Sequence, residues 1–228
     1  MISKVDQLIR TKRKTIAILI QRDGKVIVRA PLKAPEKLIR SFVESKSSWI
    51  DEKKALMQKQ VPAMSARQFT SGEKFWLLGE QINLRVVEAH TQRASLTLRD
   101  EFLLSDKATP EAHSIFEKWY KAHALKVLTE RVIYFAAKHG FRYENIRISS
   151  ARTRWGSCSS RGTLSFTWRL VMAPLDVVDY VVIHELAHLK IQNHSNIFWA
   201  EVARLMPAYQ SRRDWLKKNG RILTFDGD

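Results

Sequence analysis

A single cysteine, Cys158, stands in the whole chain, so no intrachain disulfide can form and a reducing compartment is expected. Met1 to Arg10 holds no apolar core of the kind a secretory signal needs. Apolar runs such as Ile16 to Ile20 fall far short of the ~20 residues that span a bilayer. The expected setting is therefore the cytoplasm, with no membrane partner. Negative charge is also scarce. The chain has 23 Asp and Glu against 39 Lys and Arg, a net charge of +16, and a pI of about 10.1. Such a surplus suits anionic partners, either a small anionic substrate or nucleic acid held by a basic surface. Internal repeats, low-complexity segments, a Walker-type glycine loop and zinc-finger, RNP or helix-turn-helix signatures are all missing. The sequence leaves the oligomeric state open.

A hydrophobic fraction of 45% in 228 residues is enough for one large domain or two small ones. Residues 1–105 read as β-rich with one helix. Arg22-Asp23-Gly24 between two β-branched runs predicts a hairpin, and Ala34-Pro35-Glu36 opens a helical pattern that Val61-Pro62 ends. The stripe of that helix is read as Leu38, Phe42, Val43, Trp49, Ile50 and Leu56. Further hairpins are expected over 74–87, around Gly79-Glu80, and over 96–104. His90 stands alone there as a surface or packing residue. Ser105 to Thr109 is a polar junction and the expected domain boundary, so 106–228 forms the second domain of an α+β chain. A helix is expected from Pro110 to about Lys138, stopped by Gly140, with His113, His123 and His139 as solvated or packing side chains. A strand at 146–148, a basic loop of small residues at 152–162 and a strand at 163–168 follow. Ser195 can cap a helix running to about Met206, and a basic tail follows Pro207.

The chemistry concentrates in Val181-Val-Ile-His184-Glu185-Leu-Ala-His188, with His194 six residues on. At about 100° per residue, His184 and His188 share one helix face and can offer ring nitrogens to one ion. The helix is apolar nearly all round and hence buried, and buried histidines need partners. Glu185 sits beside the ion without having to bind it, free to take a proton from water. Three of only seven histidines fall within eleven residues. A hydrolytic zinc site wants a third protein ligand; His194 is the first candidate and Glu201 its rival. Arg154, Arg204 and Tyr209 are candidates to contact substrate or stabilise an oxyanion. Cys158 reads as a packing residue, and Trp155, Trp168 and Trp199 as core or pocket wall.

Arg154-Trp-Gly-Ser-Cys-Ser159, Phe166-x-Trp168-Arg-Leu170 and His184-Glu-Leu-x-His188-x5-His194-Ser-x-x-Phe198-Trp199 together resemble the YgjP-like metal-dependent hydrolases, relatives of the SprT and WLM domains. The resemblance implies a zincin-like C-terminal metallopeptidase domain with an active-site helix. It also implies Zn2+ at His184, His188 and His194, with Glu185 catalytic. The expected substrate is a peptide. An alternative is a nucleoside triphosphate, whose phosphates the loop of Arg152, Arg154 and Arg161 can hold. A second alternative is a nucleic-acid-binding protein with structural zinc, or a DNA-associated protease.

Overall fold

The computed structural model describes residues 4–21, 24–60, 67–89 and 94–224, with side chains described outside 56–60. Arg22, Asp23, Val61, Pro62, His90 and the side chain of Leu56 lie outside this set. The chain is mixed α+β and divides into two compact units between Arg67 and Gln68.

In the first unit, β1 (Gln7–Thr11), β2 (Ala17–Ile20) and β3 (Val26–Pro31) form a sheet of order β1-β3-β2. β2 and β3 pair antiparallel, as the expected hairpin requires, while β1 pairs parallel to β3. The period of two along β3 turns Val26, Val28 and Ala30 to one face, where they join Ile39, Val43 and Ile50. The single helix expected here is two: α1 (Glu36–Ser45) and α2 (Ser47–Gln60), broken at Lys46 with φ −110° and ψ 10°. The buried stripe of α1 is Ile39 and Val43, spaced i, i+4, whereas Leu38 and Trp49 are exposed.

In the second unit, β4 (Lys74–Leu77), β5 (Glu80–Val87), β6 (Leu96–Leu98) and β7 (Phe102–Ser105) give a sheet of order β4-β5-β7-β6. Both expected hairpins form, and β5 and β7 pair parallel. α3 (Ala112–His139) packs Phe116, Tyr120, Ala124, Leu128 and Val132, each one turn apart, into the same core as Phe75, Leu84, Phe102 and Leu104. The division after Arg67 therefore differs from the junction expected at 105–109. Among the described residues, β4 to β7 share one buried core with α3: Phe75 and Phe116 stack at 4.4 Å, and the Tyr120 hydroxyl donates to the Trp76 carbonyl at 2.6 Å. Gly140, at φ 69°, ends α3 in the left-handed region.

The site helix is set from two sides. β8 (Asn145–Ser149), β9 (Gly156–Cys158) and β10 (Thr163–Thr167) form a sheet of order β8-β10-β9. The loop expected at 152–162 thus contains a short edge strand. A buried 3-10 turn over Trp168–Met172 then leads through Pro174 into α4 (Leu175–Ala187). The tip of the β4–β5 hairpin docks on this entry: Leu78 N–H donates to Val171 O at 2.7 Å. A Cβ on Gly79, at φ 89°, would meet the Pro174 Cα at 2.9 Å. On the other flank, Arg131 of α3 grips both oxygens of Asp179 at 2.6 and 2.8 Å. α5 (Asn196–Leu205) and α6 (Tyr209–Asn219) follow, so the expected basic tail is a helix. Ser195 occupies the N-cap position of α5, and its side chain makes no capping hydrogen bond. Among the described residues, no helix is long and apolar enough to cross a membrane.

Candidate metal centre

α4 buries Val177, Val178, Val181, Val182, Ile183 and Leu186, which locks its rotation about its own axis. His184 then lies in the last turn and His188 at the C-cap, one turn on. The chain leaves the helix and returns so that His194 faces both. Its Nε2 lies 3.1 Å from His184 Nε2 and 3.2 Å from His188 Nε2. The three ligand-capable nitrogens all fall within 4.8 Å of one another. His188 Nδ1 lies 3.0 Å from the Ile191 carbonyl, an acceptor only, so Nδ1 carries the proton and Nε2 presents its lone pair to the cluster.

This arrangement fits a metal ion. Nitrogens about 2.0–2.1 Å from a tetrahedral ion stand roughly 3.3 Å apart. Three ring nitrogens converging on one point cannot satisfy one another with protons alone, whereas a cation at that point serves all three lone pairs. Burial, followed by the neighbouring rings and Arg213, pushes His184 down to about 3; burial, His188 and Arg213 also lower His194. Phe198 supports the cluster from below, its ring 4.4 Å from that of His188 and 4.9 Å from that of His184.

Glu185 is 4% exposed, and its Oε2 is buried with no hydrogen-bond partner among the described residues. Burial pushes its carboxyl up to about 8, against the opposing charge of Arg154. A dication nearby favours the ionised form of such a group. Room for this carboxylate comes from Gly156 on β9, where a Cβ would lie 2.5 Å from Oε1.

The other expected residues separate. Arg154 is exposed, and its charge reaches Glu185. Tyr209 is buried, stacked on Trp199 at 5.6 Å and on Tyr180 at 6.4 Å, and so backs the wall of the site. Arg204 is not brought to the cluster. It holds both oxygens of Glu201 at 2.8 and 2.9 Å, and its charge bears on His139. Glu201 is engaged by Arg204 and by Lys190 at 3.1 Å, and it does not join the histidines as a ligand. Arg161 is exposed. Burial and Glu185 raise the Cys158 thiol, which donates to the Ser159 carbonyl at 3.4 Å. Trp168 is core and Trp155 is half-buried.

Two contributors escape the sequence reading. Gly156 was visible only as part of a motif, and its signal is a glycine opposite a helix glutamate. Arg213 lies in the stretch after Pro207 that reads in sequence as a basic tail. The signal for it is the seven-residue spacing of Tyr209 and Leu216, the buried positions of α6.

Residues 14–219 match the family model of the YgjP-like metallopeptidase domain. Among solved structures, the metallopeptidase zymogen of Pyrococcus abyssi abylysin is 24% identical, with a TM-score of 0.36, over 40% of this chain and 93% of that one. The metallopeptidase zymogen of Methanocaldococcus jannaschii jannalysin is 22% identical, with a TM-score of 0.33, over 43% of this chain and 96% of that one. A search of curated proteins gives no match.

Proposed function

Because the chain belongs to the YgjP-like metallopeptidase family, a family of metal-dependent hydrolases, we propose that it is a zinc peptidase in which Glu185 moves the proton of the attacking water. The observation that carries this is the convergence of three histidine nitrogens next to a buried, unpartnered carboxylate. His184, His188 and His194 would hold the ion. Three neutral imidazoles with no thiolate form the donor set of a catalytic rather than a structural zinc site. Zinc, when bound, supplies a Lewis acid that polarises water and the scissile carbonyl.

The remaining work falls to the chain. Glu185 accepts a proton from water as the new C–O bond forms, then delivers it to the leaving nitrogen as the C–N bond breaks. Its burial keeps competing water away from the carboxylate. We assign the developing oxyanion to Arg154, because its charge reaches Glu185.

The test is metal analysis joined to turnover of casein-type peptides, with and without chelator, in wild type and Glu185→Gln. The variant should keep its zinc and lose about 10²–10⁴-fold in turnover. Unchanged turnover would remove the role given to Glu185. Nucleoside triphosphates belong in the same assay, since their hydrolysis in place of peptides would reassign the bond cleaved.

One observation favours a second reading beside the first. Residues 1–67 carry 16 Lys and Arg against 6 Asp and Glu, so ten of the sixteen surplus charges lie in this stretch. That stretch would recruit the enzyme to nucleic acid. The measurement is the salt dependence of duplex binding, which should be steep for a multi-phosphate contact and absent if the charge serves solubility alone.

A further inference from the structure

We propose that Arg213 forms a subsite beside the histidine cluster for a carboxylate of the substrate, an assignment that rests on the peptidase reading above. Its Cζ lies 4.3 Å from the centre of the Trp199 ring. That ring lies 5.7 Å from His184 and 5.8 Å from His194, so the guanidinium is one ring removed from the cluster. Trp199 is stacked in turn on Tyr209, and Tyr209 on Tyr180. A guanidinium laid on a wall of packed rings loses little further freedom when it binds an anion.

Its neighbour Arg212 donates to Asp176 at 3.0 Å. Arg213 has no such partner among the described residues, and Glu185, the carboxylate of the site, answers to Arg154 instead. Three imidazoles bring no negative charge, so a divalent ion and Arg213, one ring apart, would repel each other. A fixed cation at that place disfavours the metal until an anion arrives. A carboxylate removes the conflict, because its planar pair of oxygens matches the guanidinium fork. Two peptide groups offer that chemistry, the free carboxylate at the chain end and an acidic side chain near the scissile bond.

The experiment is calorimetric titration of the zinc-loaded protein with three forms of one neutral peptide: the free acid, the C-terminal amide, and the amide carrying one internal Glu. Wild type should bind one of the carboxylate forms about tenfold tighter than the neutral amide; which one identifies the source. In Arg213→Gln that ratio should collapse to about one, and Arg213→Lys, which keeps the charge and loses the fork, should retain part of it. Metal content and circular dichroism show that each variant is folded and loaded. The proposal is overturned if wild type shows no carboxylate preference, or if the preference survives in Arg213→Gln. Failure of the peptidase reading is seen separately, as absent peptide turnover or turnover indifferent to Glu185→Gln.

Discussion

Gly156 on the edge strand β9 and Glu185 on α4 are in such close approach that a Cβ at position 156 would stand 2.5 Å from Oε1, 2.7 Å from Cγ and 2.8 Å from Cδ of the glutamate. All three are side-chain atoms, yet the residue is 4% exposed and has little room to retreat. Gly156→Ala should therefore displace the carboxylate while leaving the three histidines in place. A displacement of about 1 Å costs on the order of 100-fold in rate. Peptide turnover is expected to fall by roughly that factor at unchanged zinc per chain. Full activity in the alanine variant would mean that the carboxylate is not held where the chemistry needs it.

His194 and Glu201 were rivals for the third ligand position. The structure brings His194 to within 3.1 and 3.2 Å of the other two nitrogens and leaves Glu201 tied to Arg204 and Lys190. His194→Ala should lower zinc affinity by at least about tenfold, since loss of even an outer partner costs 10–100-fold. Glu201→Gln should leave affinity within about twofold. Competition against a chelator of known strength reads both, and the opposite ranking would move the site.

The histidine cluster was legible because its signals are local. Two histidines one turn apart on an apolar helix need no tertiary information, and His194 follows within the reach of a short turn. α6 was hidden because Tyr209 and Leu216 are its buried anchors and mostly polar and charged residues fill the interval. β9 was hidden for a different reason: Gly156-Ser157-Cys158 has no β-branched residue, and only pairing to β10 makes it a strand. The parallel partners β1–β3 and β5–β7 are joined across intervening strands, a long-range choice that no window of sequence records. The break at Lys46 lies within a continuous helical pattern and shows only in its backbone angles.

His123 sets a pH dependence away from the metal. Its ring stacks on Trp119 at 4.9 Å and 9°, and its buried Nε2 is without a hydrogen-bond partner among the described residues. Burial first, then Lys126, lowers its pKa against the opposing charge of Glu130. The unfolded chain therefore takes up a proton near pH 6.5 that the folded chain refuses until lower pH. The resulting stability is complete above about pH 6.5 and is lost as pH falls toward the folded value. His123→Phe keeps the stack and removes the titration. Its urea midpoint should fall less than that of wild type between pH 7 and pH 5, and parallel falls would acquit this histidine.

Arg131 and Asp179 fix α4 against α3, and the pair is the most direct lever on the site helix that lies outside the site. The bond to Asp179 dominates the raised pKa of Arg131, while for Asp179 burial outweighs the bond and raises the carboxyl. Removing the guanidinium strips both oxygens of their donors in a half-buried position. Arg131→Ala is expected to cost about 2 kcal/mol at pH 7, the scale of hydrogen bonds to a charged group. The sign of its pH dependence follows from the carboxylate. With Arg131 gone, the folded pKa of Asp179 rises further above its unfolded value, so the variant is favoured at low pH and penalised as pH climbs through that folded value. The gap between wild type and Arg131→Ala should thus narrow from pH 7 to pH 4 in chemical denaturation. A gap that is constant across that range would show that the lost term is the packing of the arginine stem over Tyr134 and Phe135, on whose rings the guanidinium lies at 4.9 and 5.1 Å, and not the charge pair.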